Sequence, residues 1–303
     1  MSNESPRPRV SVVIPVFNAE QFVKETVESA LGQTYPNMEV IVVDDGSTDN
    51  TPHVLEAFSE SVRVVRTANG GVARARNVGA GLATGDWIAF LDADDVWLPT
   101  KVEEQMSVAT VPLVYTDRFN IGELGILPVI QSDVNPLRDG DIFVPLLARG
   151  NFITMSSVLV RRDVFKEAGG FFEPLSAAAD WDLWIRIAER HTAVACRTPL
   201  LRYRIHSGAM SRNHRGMAAE RQLVVDRALS LPRGRAFGPV LQRQIRSRAL
   251  LTSGWDAAQA GAKRDAAAEY GKALLQWPFD VELLKEVLRL LVPQNQSAPA
   301  SHR

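Results

Sequence analysis

The sequence contains one cysteine, no long apolar run and almost no net charge. Cys196 has no second cysteine with which to form a disulfide within the chain, and so low a count is typical of a reducing compartment. No segment approaches the roughly 20 apolar residues that a membrane-spanning helix requires, and residues 1–9 lack the apolar stretch of a signal peptide. We therefore expect a cytoplasmic protein.

The charge balance argues against nucleic acid as a partner. The chain has 34 Lys and Arg residues against 35 Asp and Glu residues, so no excess of positive charge is present to attract a polyanion. Of its 303 residues, 46% are apolar and 23% are charged, as in an ordinary globular protein. This length suffices for one large core, or for one domain and a smaller addition.

Apolar, β-branched segments alternate with helical patterns through the first hundred residues. The predicted strands are residues 10–17, 38–45, 62–66 and 86–92. Asn18, with Gln21 three residues later, is predicted to cap the first helix, and Thr51 before Pro52 is predicted to cap the second. This alternation predicts an α/β fold with a mostly parallel central sheet and helices on both faces.

The remainder of the chain is less regular and then becomes helical. Further strands are predicted at residues 112–116, 156–162 and 200–206, a helix at 180–190, and a loop-rich stretch at 117–140. Helical patterns follow one another from about residue 216, and "DAAAEYGKALLQWPFD" is similar to one hairpin of a helical repeat. We expect a domain over 1–212, divided into halves at 1–110 and 111–212, and a helical region over 213–303 that ends in a disordered tail.

Polar residues follow several of the predicted strands at the points where those strands end. Asn18, Asp44, Asp45 and Asp92 all occupy such positions. In open α/β sheets the carboxyl ends of parallel strands form one edge, and ligands bind there. We therefore expect these residues, which are distant in sequence, to line one site.

The segment "FLDADDVW" places Asp92, Asp94 and Asp95 within four positions after a strand. Three carboxylates would repel one another unless a cation joined them. Hard divalent cations take carboxylate oxygens and complete their shell with water and phosphate, so the pair Asp92 and Asp94 indicates a metal and a nucleotide diphosphate. The alternative is a solvated surface turn, because an isolated D-x-D is common by chance.

Two further motifs offer groups for a nucleotide. "DDGSTD" at 44–49 could place a carboxylate against a base N–H, or could be a plain Asp-Gly turn. "NGGVARARN" at 69–77 places Arg74 and Arg76 at the start of a helix, where they suit a phosphate or a base carbonyl, or form a solvated basic face.

Two motifs of the second half could complete the chemistry. "ADWDLW" places Asp180 at the start of a helix, either as an N-cap or as a general base, and the two roles are compatible. "YRIHSGAMSR" supplies Arg204, His206 and Ser211 after a strand, which suits a flap over a phosphate as well as a solvated loop.

Taken together and in this order, the motifs resemble those of the family 2 glycosyltransferases. The resemblance covers about residues 8–212 and is close in the first hundred. It rests on Pro15-x-x-Asn18, Asp44-Asp45-Gly46-Ser47, Asn69-Gly-Gly with Arg76, Asp92-x-Asp94-Asp95, and Asp180-x-Asp182-Leu183-Trp184. It implies the Rossmann-like GT-A fold, with residues 1–110 as the nucleotide-sugar half and 111–212 as the acceptor half. It also implies an inverting hexosyltransferase that uses a nucleotide sugar, most often a UDP-sugar, with Mn²⁺ or Mg²⁺.

The resemblance also implies roles for individual residues. Pro15 and Asn18 would line the nucleoside pocket, Asp45 would hold the uracil, and Arg76 would lie near the base. Asp92 would meet the ribose and the metal, Asp94 would ligate the metal, and His206 would belong to the segment that closes over the diphosphate. Asp180 matches the catalytic base of the family. The acceptor would be a hydroxyl of a glycan or of a lipid-linked saccharide, and a lipid-linked acceptor would bring the enzyme to the inner face of the membrane.

One position departs from the family pattern, and the sequence leaves alternative functions open. Many members carry Glu before the catalytic Asp, where this chain has Ala179, so the orientation of the base or the handling of the acceptor is in question. A nucleotidyltransferase and a non-catalytic sugar-nucleotide sensor are the alternatives. A phosphoacceptor receiver domain would leave Asp94 and Asp180 unexplained. If Asp180 is not the base, Asp182 is the next candidate.

Overall fold

A computed structural model describes residues 7–122, 129–206 and 213–291. The strands are β1 Val10–Val16, β2 Met38–Asp44, β3 Arg63–Arg66, β4 Trp87–Phe90, β5 Val96–Trp97, β6 Leu113–Gly122, β7 Val129–Ile130, β8 Val158–Arg161 and β9 Ala193–Ile205. The helices are α1 Val23–Leu31, α2 Thr51–Glu56, α3 Val72–Leu82, α4 Lys101–Ser107, α5 Gln131–Val134, α6 Phe143–Arg149, α7 Arg162–Glu167, α8 Ala179–Ala188, α9 His214–Ser230, α10 Pro232–Arg235, α11 Pro239–Gln259, α12 Lys263–Gln276 and α13 Val281–Leu291. Two predicted features, Ser211 and the tail over 293–303, lie outside the described residues.

The nine described strands form one mixed sheet in the order β3-β2-β1-β4-β8-β6-β9-β5, with β7 paired to β6. As predicted, β1 pairs in parallel with β2 and with β4, and β2 pairs in parallel with β3. Beyond β4 the sheet contains antiparallel pairs, because β8 runs against both β4 and β6. The predicted α/β class is confirmed, and the four strands of the first half all end at one edge.

Both faces of the sheet are covered, which explains the apolar run of β1. Val13 packs in a cluster with residues of α3 and α8. Val12 and Ile14 point to the opposite face and pack in a second cluster with residues of α1. A strand buried on both faces must be apolar at every position, and this requirement produced the unbroken run that the sequence shows.

The structure differs from the sequence predictions at helix starts. Asn18 does not cap α1, which begins only at Val23. Its backbone has a φ of 49°, and its side-chain oxygen accepts from the backbone N–H of Thr48 at 2.8 Å. Asp180 is also not an N-cap, since α8 begins one residue earlier, at Ala179. In both cases a tertiary contact, rather than a helix end, engages the polar side chain.

The stretch predicted to be loop-rich over 117–140 is partly strand. β6 extends to Gly122 because it pairs in parallel with β9, which begins at Ala193 rather than at residue 200. The polar residues of β6 obscured this strand, since the pairing with β9 stabilises it without a continuous apolar face.

The first C-terminal helices share the core of the sheet and have no separate core of their own. Apolar residues of α9 and of the first half of α11, such as Val224 and Ile245, belong to the same cluster as the sheet. α11 and α12 form a hairpin with its own apolar cluster. In this cluster the Tyr270 ring packs against Gly254, and a Cβ at position 254 would lie 2.3 Å from that ring. The boundary at residue 212 stays a prediction. No helix among the described residues is long and apolar enough to cross a membrane.

Candidate active site

The end of β2 is joined to the loop after β3 by the side chain of Asp45. Its buried carboxylate accepts from the backbone N–H groups of Gly70 at 2.9 Å and Gly71 at 2.8 Å. Gly71 has a φ of 89°, which a residue with a side chain would adopt only under strain. Asp45 therefore shapes the Asn-Gly-Gly loop at the carboxyl edge of the sheet.

The neighbouring Asp44 makes the Asp-Gly turn that the sequence also allowed. Its Oδ1 accepts from the backbone N–H of Ser47 at 2.8 Å. The Ser47 hydroxyl in turn accepts from the backbone N–H of Asn18 at 3.0 Å. Pro15 is buried in β1 opposite Val43. The structure thus brings Pro15, Asn18 and Asp45 to one edge.

The three aspartates after β4 have three different environments. Asp95 is fully buried and accepts from the Ser156 hydroxyl at 2.5 Å and from the backbone N–H of Arg204 at 2.9 Å. Burial, with the nearby charges of Asp94 and Asp92, raises the pKa of Asp95 well above its ordinary value. Asp95 therefore ties the acidic segment to the second half of the domain and is not open to a ligand.

Asp92 and Asp94 remain as the open pair. Asp92 Oδ1 lies 2.5 Å from Arg76 Nη2, and Asp94 Oδ2 lies 2.8 Å from His206 Nε2. Burial, followed by the charge of Asp92, raises the pKa of Asp94, while His206 opposes this effect. Among the described residues each carboxylate has one side-chain partner, on one of its oxygens, and the other oxygen has none.

These two carboxylates fit a hard divalent cation only in part. Among the described residues, no cluster of three His, Cys, Asp or Glu side chains could hold a metal by itself. Mg²⁺ and Mn²⁺ sites with one or two carboxylates are completed by water and substrate phosphate. The donor set of Asp92 and Asp94 therefore matches a cation that binds together with a diphosphate.

Arg76 is the buried arginine of the two that the sequence offered, while Arg74 is exposed. Its guanidinium contacts Asp92 and lies 5.5 Å from the centre of the Phe171 ring. Its Nε has no hydrogen-bond partner among the described residues. A buried, partly unpaired cation beside a carboxylate suits an anionic ligand, because an unmet buried donor costs free energy.

Asp180 lies near this cation. Its Oδ2 accepts from Asn151 Nδ2 at 2.8 Å, and its Oδ1 accepts from the backbone N–H of Trp181 at 2.7 Å. Burial raises the pKa of Asp180 to about 6, although the positive charge of Arg76 opposes the rise. This rise depends on burial, which the sequence alone does not reveal.

Arg204, near the end of β9, and His206, which follows β9, both contact Asp94, and a flap over a phosphate stays a prediction. Arg204 Nε donates to the backbone carbonyl of Asp94 at 2.9 Å, and Arg204 Nη2 lies 2.8 Å from Glu25. The His206 ring packs on Phe22, with the ring centres 5.3 Å apart. The start of α1 and the end of β9 therefore fix this side of the site.

The structure excludes Asp182 from the site. Its carboxylate is buried and accepts from Arg186 Nε at 2.8 Å and from Arg227 Nε at 2.7 Å. This ion-pair cluster joins α8 to α9 on the other side of α8. Asp182 is therefore wrong as the second candidate for a general base.

Sequence reasoning missed three residues of the site, namely Asn151, Ser156 and Phe171. Asn151 and Phe171 lie in connections of the second half, and Ser156 lies in a single 3-10 turn, Met155–Ser157, where no regular pattern placed them. The signal for Asn151 was the pair Gly150-Asn151, which marks a turn after a helix. Nothing in the sequence marked Ser156 as the partner of Asp95.

A mixed α/β sheet with an acidic pair at its carboxyl edge and a half-buried aspartate nearby is the architecture expected of a glycosyltransferase. Residues 11–169, more than half of the chain, match the family described as Glycosyl transferase family 2. The chain belongs to this family, and the expectation of a glycosyltransferase enzyme is confirmed.

Two curated relatives show how far the sequence likeness extends. An uncharacterized glycosyltransferase of Rickettsia felis is 34% identical over 209 residues, which are 66% of this chain and 35% of that protein, so the chain spans about a third of its length. The Escherichia coli protein named UDP-Glc:alpha-D-GlcNAc-diphosphoundecaprenol beta-1,3-glucosyltransferase WfaP is 33% identical over 214 residues, 67% of this chain and 80% of that protein.

Two solved structures share the fold. S. aureus TarS in complex with UDP-GlcNAc has a TM-score of 0.67 and 17% identity, over 88% of this chain and 81% of that chain. The mannosyltransferase PcManGT from Pyrobaculum calidifontis, in complex with GDP-Man and Mn²⁺, has a TM-score of 0.59 and 20% identity, over 93% and 79% of the two chains. At these identities the likeness confirms the GT-A fold and nothing further.

Proposed function

We propose that the protein transfers a sugar from a UDP-sugar to a hydroxyl group of a lipid-linked saccharide, with inversion at the anomeric carbon. The observation that carries this proposal is the row of charges from Asp94 through Asp92 and Arg76 to Asp180. It places a group with a pKa of about 6, which is mostly ionised at neutral pH, beside a cation and an acidic pair.

The donor would lie along the carboxyl edge of β1, β2 and β4. Pro15 and Asn18 would line the nucleoside pocket, and Asp45 would accept a hydrogen bond from the uracil N3–H with a lone pair that the Asn-Gly-Gly loop does not use. The UDP-GlcNAc bound to TarS and the UDP-Glc in the name of WfaP support uridine. The GDP-Man bound to PcManGT shows that the fold also accommodates guanosine.

The divalent cation, Mn²⁺ or Mg²⁺, would be held by Asp94 and Asp92. The Mn²⁺ in PcManGT supports this assignment. When bound, the cation supplies positive charge that stabilises the departing diphosphate. Arg76 and His206 would add to this stabilisation from the protein side.

Asp180 would act as the general base. It would remove the proton of the acceptor hydroxyl as the hydroxyl oxygen attacks the anomeric carbon from the face opposite the diphosphate. The bond from the acceptor oxygen to the anomeric carbon forms while the bond to the diphosphate oxygen breaks, and the electron pair leaves with UDP. One displacement inverts the configuration.

The C-terminal helices support the proposal that the acceptor is linked to a lipid. Residues 213–303 carry 14 of the 34 Lys and Arg residues and only 8 of the 35 Asp and Glu residues, so this region is net positive and residues 1–212 are net negative. α13 exposes Val281, Leu284 and Leu288 on one face, with side chains 43% to 64% exposed. Basic charge and an apolar helix face together suit the anionic surface of a membrane.

A lipid-linked acceptor would lie at that surface. WfaP is named for an acceptor on diphosphoundecaprenol, and a soluble enzyme that acts on such a lipid must dock at the bilayer. We therefore place the protein at the cytoplasmic face of the membrane as a peripheral protein. A sensor without activity is disfavoured, because Ala179, its main support, is a fully buried core residue.

A donor panel tests the proposal. Thermal shift and calorimetry are run with UDP-glucose, UDP-GlcNAc, GDP-mannose and a dTDP-sugar, each with Mn²⁺ and with EDTA. Transfer from the stabilising donor to a synthetic GlcNAc-diphosphate lipid is then followed by UDP release, with NMR of the product anomer. We expect metal-dependent stabilisation by a UDP-sugar and an inverted product. Tighter binding of GDP-mannose, a retained configuration or pyrophosphate release from NTP and sugar-1-phosphate would each contradict it.

A further inference from the structure

The carboxylate of Asp180 is held by one donor on each oxygen. The backbone N–H of Trp181 holds Oδ1 at 2.7 Å, and the side-chain amide of Asn151 holds Oδ2 at 2.8 Å. The first donor belongs to the same helix and would be present for any residue at position 180. The second comes from the end of α6, about thirty residues earlier in the chain, so it is a specific tertiary contact.

The orientation of the Asn151 amide is itself fixed. Its Oδ1 accepts from the backbone N–H of Ile153 at 3.1 Å, so the amide nitrogen must face Asp180. Gly150, with a φ of 82°, ends α6 and turns the chain so that Asn151 faces α8. A short side chain on a defined turn loses little entropy when it makes this contact.

Position 179, where many family members carry Glu, does not supply this function here. The Ala179 side chain is fully buried in the main core cluster. A carboxylate in that place would be desolvated among apolar neighbours. The orientation of the aspartate that follows therefore has to come from another element.

We propose that Asn151 is a positioning residue that orients the Asp180 carboxylate and keeps it ionised for proton removal from the acceptor. This inference rests on the proposed function, in which Asp180 is the base. The Asn151 amide donates to the charged form of the carboxylate and so favours it. By favouring the ionised form of Asp180, Asn151 would raise the fraction of enzyme molecules that can remove the acceptor proton at a given pH.

The groups that face Asp180 set the direction of the expected pH effect. Burial raises the pKa of Asp180, Arg76 on α3 lowers it, the Trp181 N–H and Asn151 lower it, and Asp92 raises it. Removal of the Asn151 amide deletes one of the effects that favour the ionised form. The acidic limb of the rate profile should then move to higher pH.

The test compares Asn151→Ala with Asn37→Ala across a pH range from 5 to 8. Asn37 is the matched control, because its amide also makes one long-range hydrogen bond, to the backbone carbonyl of Arg7 at 2.8 Å, and does not touch Asp180. Rates are measured as UDP release from saturating UDP-sugar with the synthetic GlcNAc-diphosphate lipid, and the melting temperature of each variant is recorded.

We expect Asn151→Ala to lower kcat about tenfold, to leave the donor KM within about twofold, and to move the acidic midpoint to higher pH. Asn37→Ala should leave both kcat and the midpoint unchanged. Asn151→Ser, which keeps a short donor, should recover part of the rate. If Asn151→Ala does not fold, Asn151→Asp carries the test, since a second carboxylate of the same size should move the midpoint further.

Two results would overturn the inference, and they can be told apart. If Asp180→Asn loses its rate while Asn151→Ala keeps both kcat and midpoint, the positioning role is wrong and the proposed function stands. If Asp180→Asn keeps its rate, the general base is elsewhere, and the proposed mechanism and this inference fail together.

Discussion

The carboxyl edge of the sheet buries charged groups, whereas the last C-terminal helices expose apolar ones. At the edge, charged groups such as Asp95 and Arg76 are buried and bonded to other chain segments. In α12 and α13, charges pair on the surface, as in Lys272 with Glu269, while leucines face the solvent. Buried charges are costly unless they are paired, and those with strongly perturbed pKa values cluster at functional sites. Exposed apolar faces are retained where a surface must be contacted.

The comparison predicts that substitutions at the edge reduce catalysis, while those in α13 reduce docking. The largest effect should come from Asp180→Asn, which keeps the shape of the side chain but cannot take a proton. We expect turnover to fall at least about two decades while metal-dependent UDP-sugar affinity stays unchanged. Steady-state kinetics and calorimetry measure the two quantities.

Stability serves as the control for this variant. The pKa of Asp180 is raised to about 6 in the folded state, above the roughly 3.9 of an unfolded chain, so its charge at neutral pH destabilises the fold. The Asn variant should therefore melt no lower than the parent at pH 7. A clear drop in melting temperature would mean that Asp180 acts chiefly in the structure of α8.

The next effect concerns the metal. Asp94→Ala should reduce Mn²⁺-dependent binding of UDP-sugar at least about tenfold, since even changes outside the ligand shell cost 10- to 100-fold. Calorimetry with Mn²⁺ and with EDTA measures it, and Asp133→Ala, an exposed-helix change in the second half, is the control. If the parent and Asp94→Ala bind UDP-sugar with equal affinity, both with Mn²⁺ and with EDTA, Asp94 is not a metal ligand.

A smaller effect should appear in the pH profile of the parent enzyme. The base must be ionised, so kcat/KM should fall as the pH drops through about 6 and then decrease roughly tenfold per pH unit. Stopped assays between pH 4.5 and 8 measure the profile. A flat profile down to pH 5 would show that the free enzyme holds Asp180 ionised, against the effect of burial.

The smallest effect on chemistry should come from α13. Leu284→Glu combined with Leu288→Glu should reduce co-sedimentation with anionic vesicles about tenfold or more, because burial of even one Leu contributes about 1.5 kcal/mol. Turnover with a water-soluble acceptor should not change. Leu31→Glu, at an exposed leucine of α1, is the control. If the double variant instead abolishes a dimer seen by light scattering, α13 contacts a second copy rather than a membrane.

The same contrast decides what the sequence could predict. The strands of the first half were predictable because burial on both faces forces an unbroken apolar run, as in β1. The convergence of Asp45 and Asp92 followed from the parallel topology alone. Asn151 and Ser156 were not predictable, since each acts through one long-range hydrogen bond that leaves no periodic pattern. Asp180 and Asp182, the two candidates for the general base, could be told apart only by the direction in which each side chain points from α8.

The carboxylate of Asp95 has a consequence for protein engineering. It joins the segment after β4 to Ser156 before β8 and to the end of β9 at Arg204. A chimera that exchanges the acceptor half between relatives would separate these three partners, and a buried carboxylate would be left without its donors. The crossover should therefore carry the acidic segment, the Ser156 turn and the end of β9 as one cassette. A graft that respects only the domain halves should express poorly even when both parents fold well.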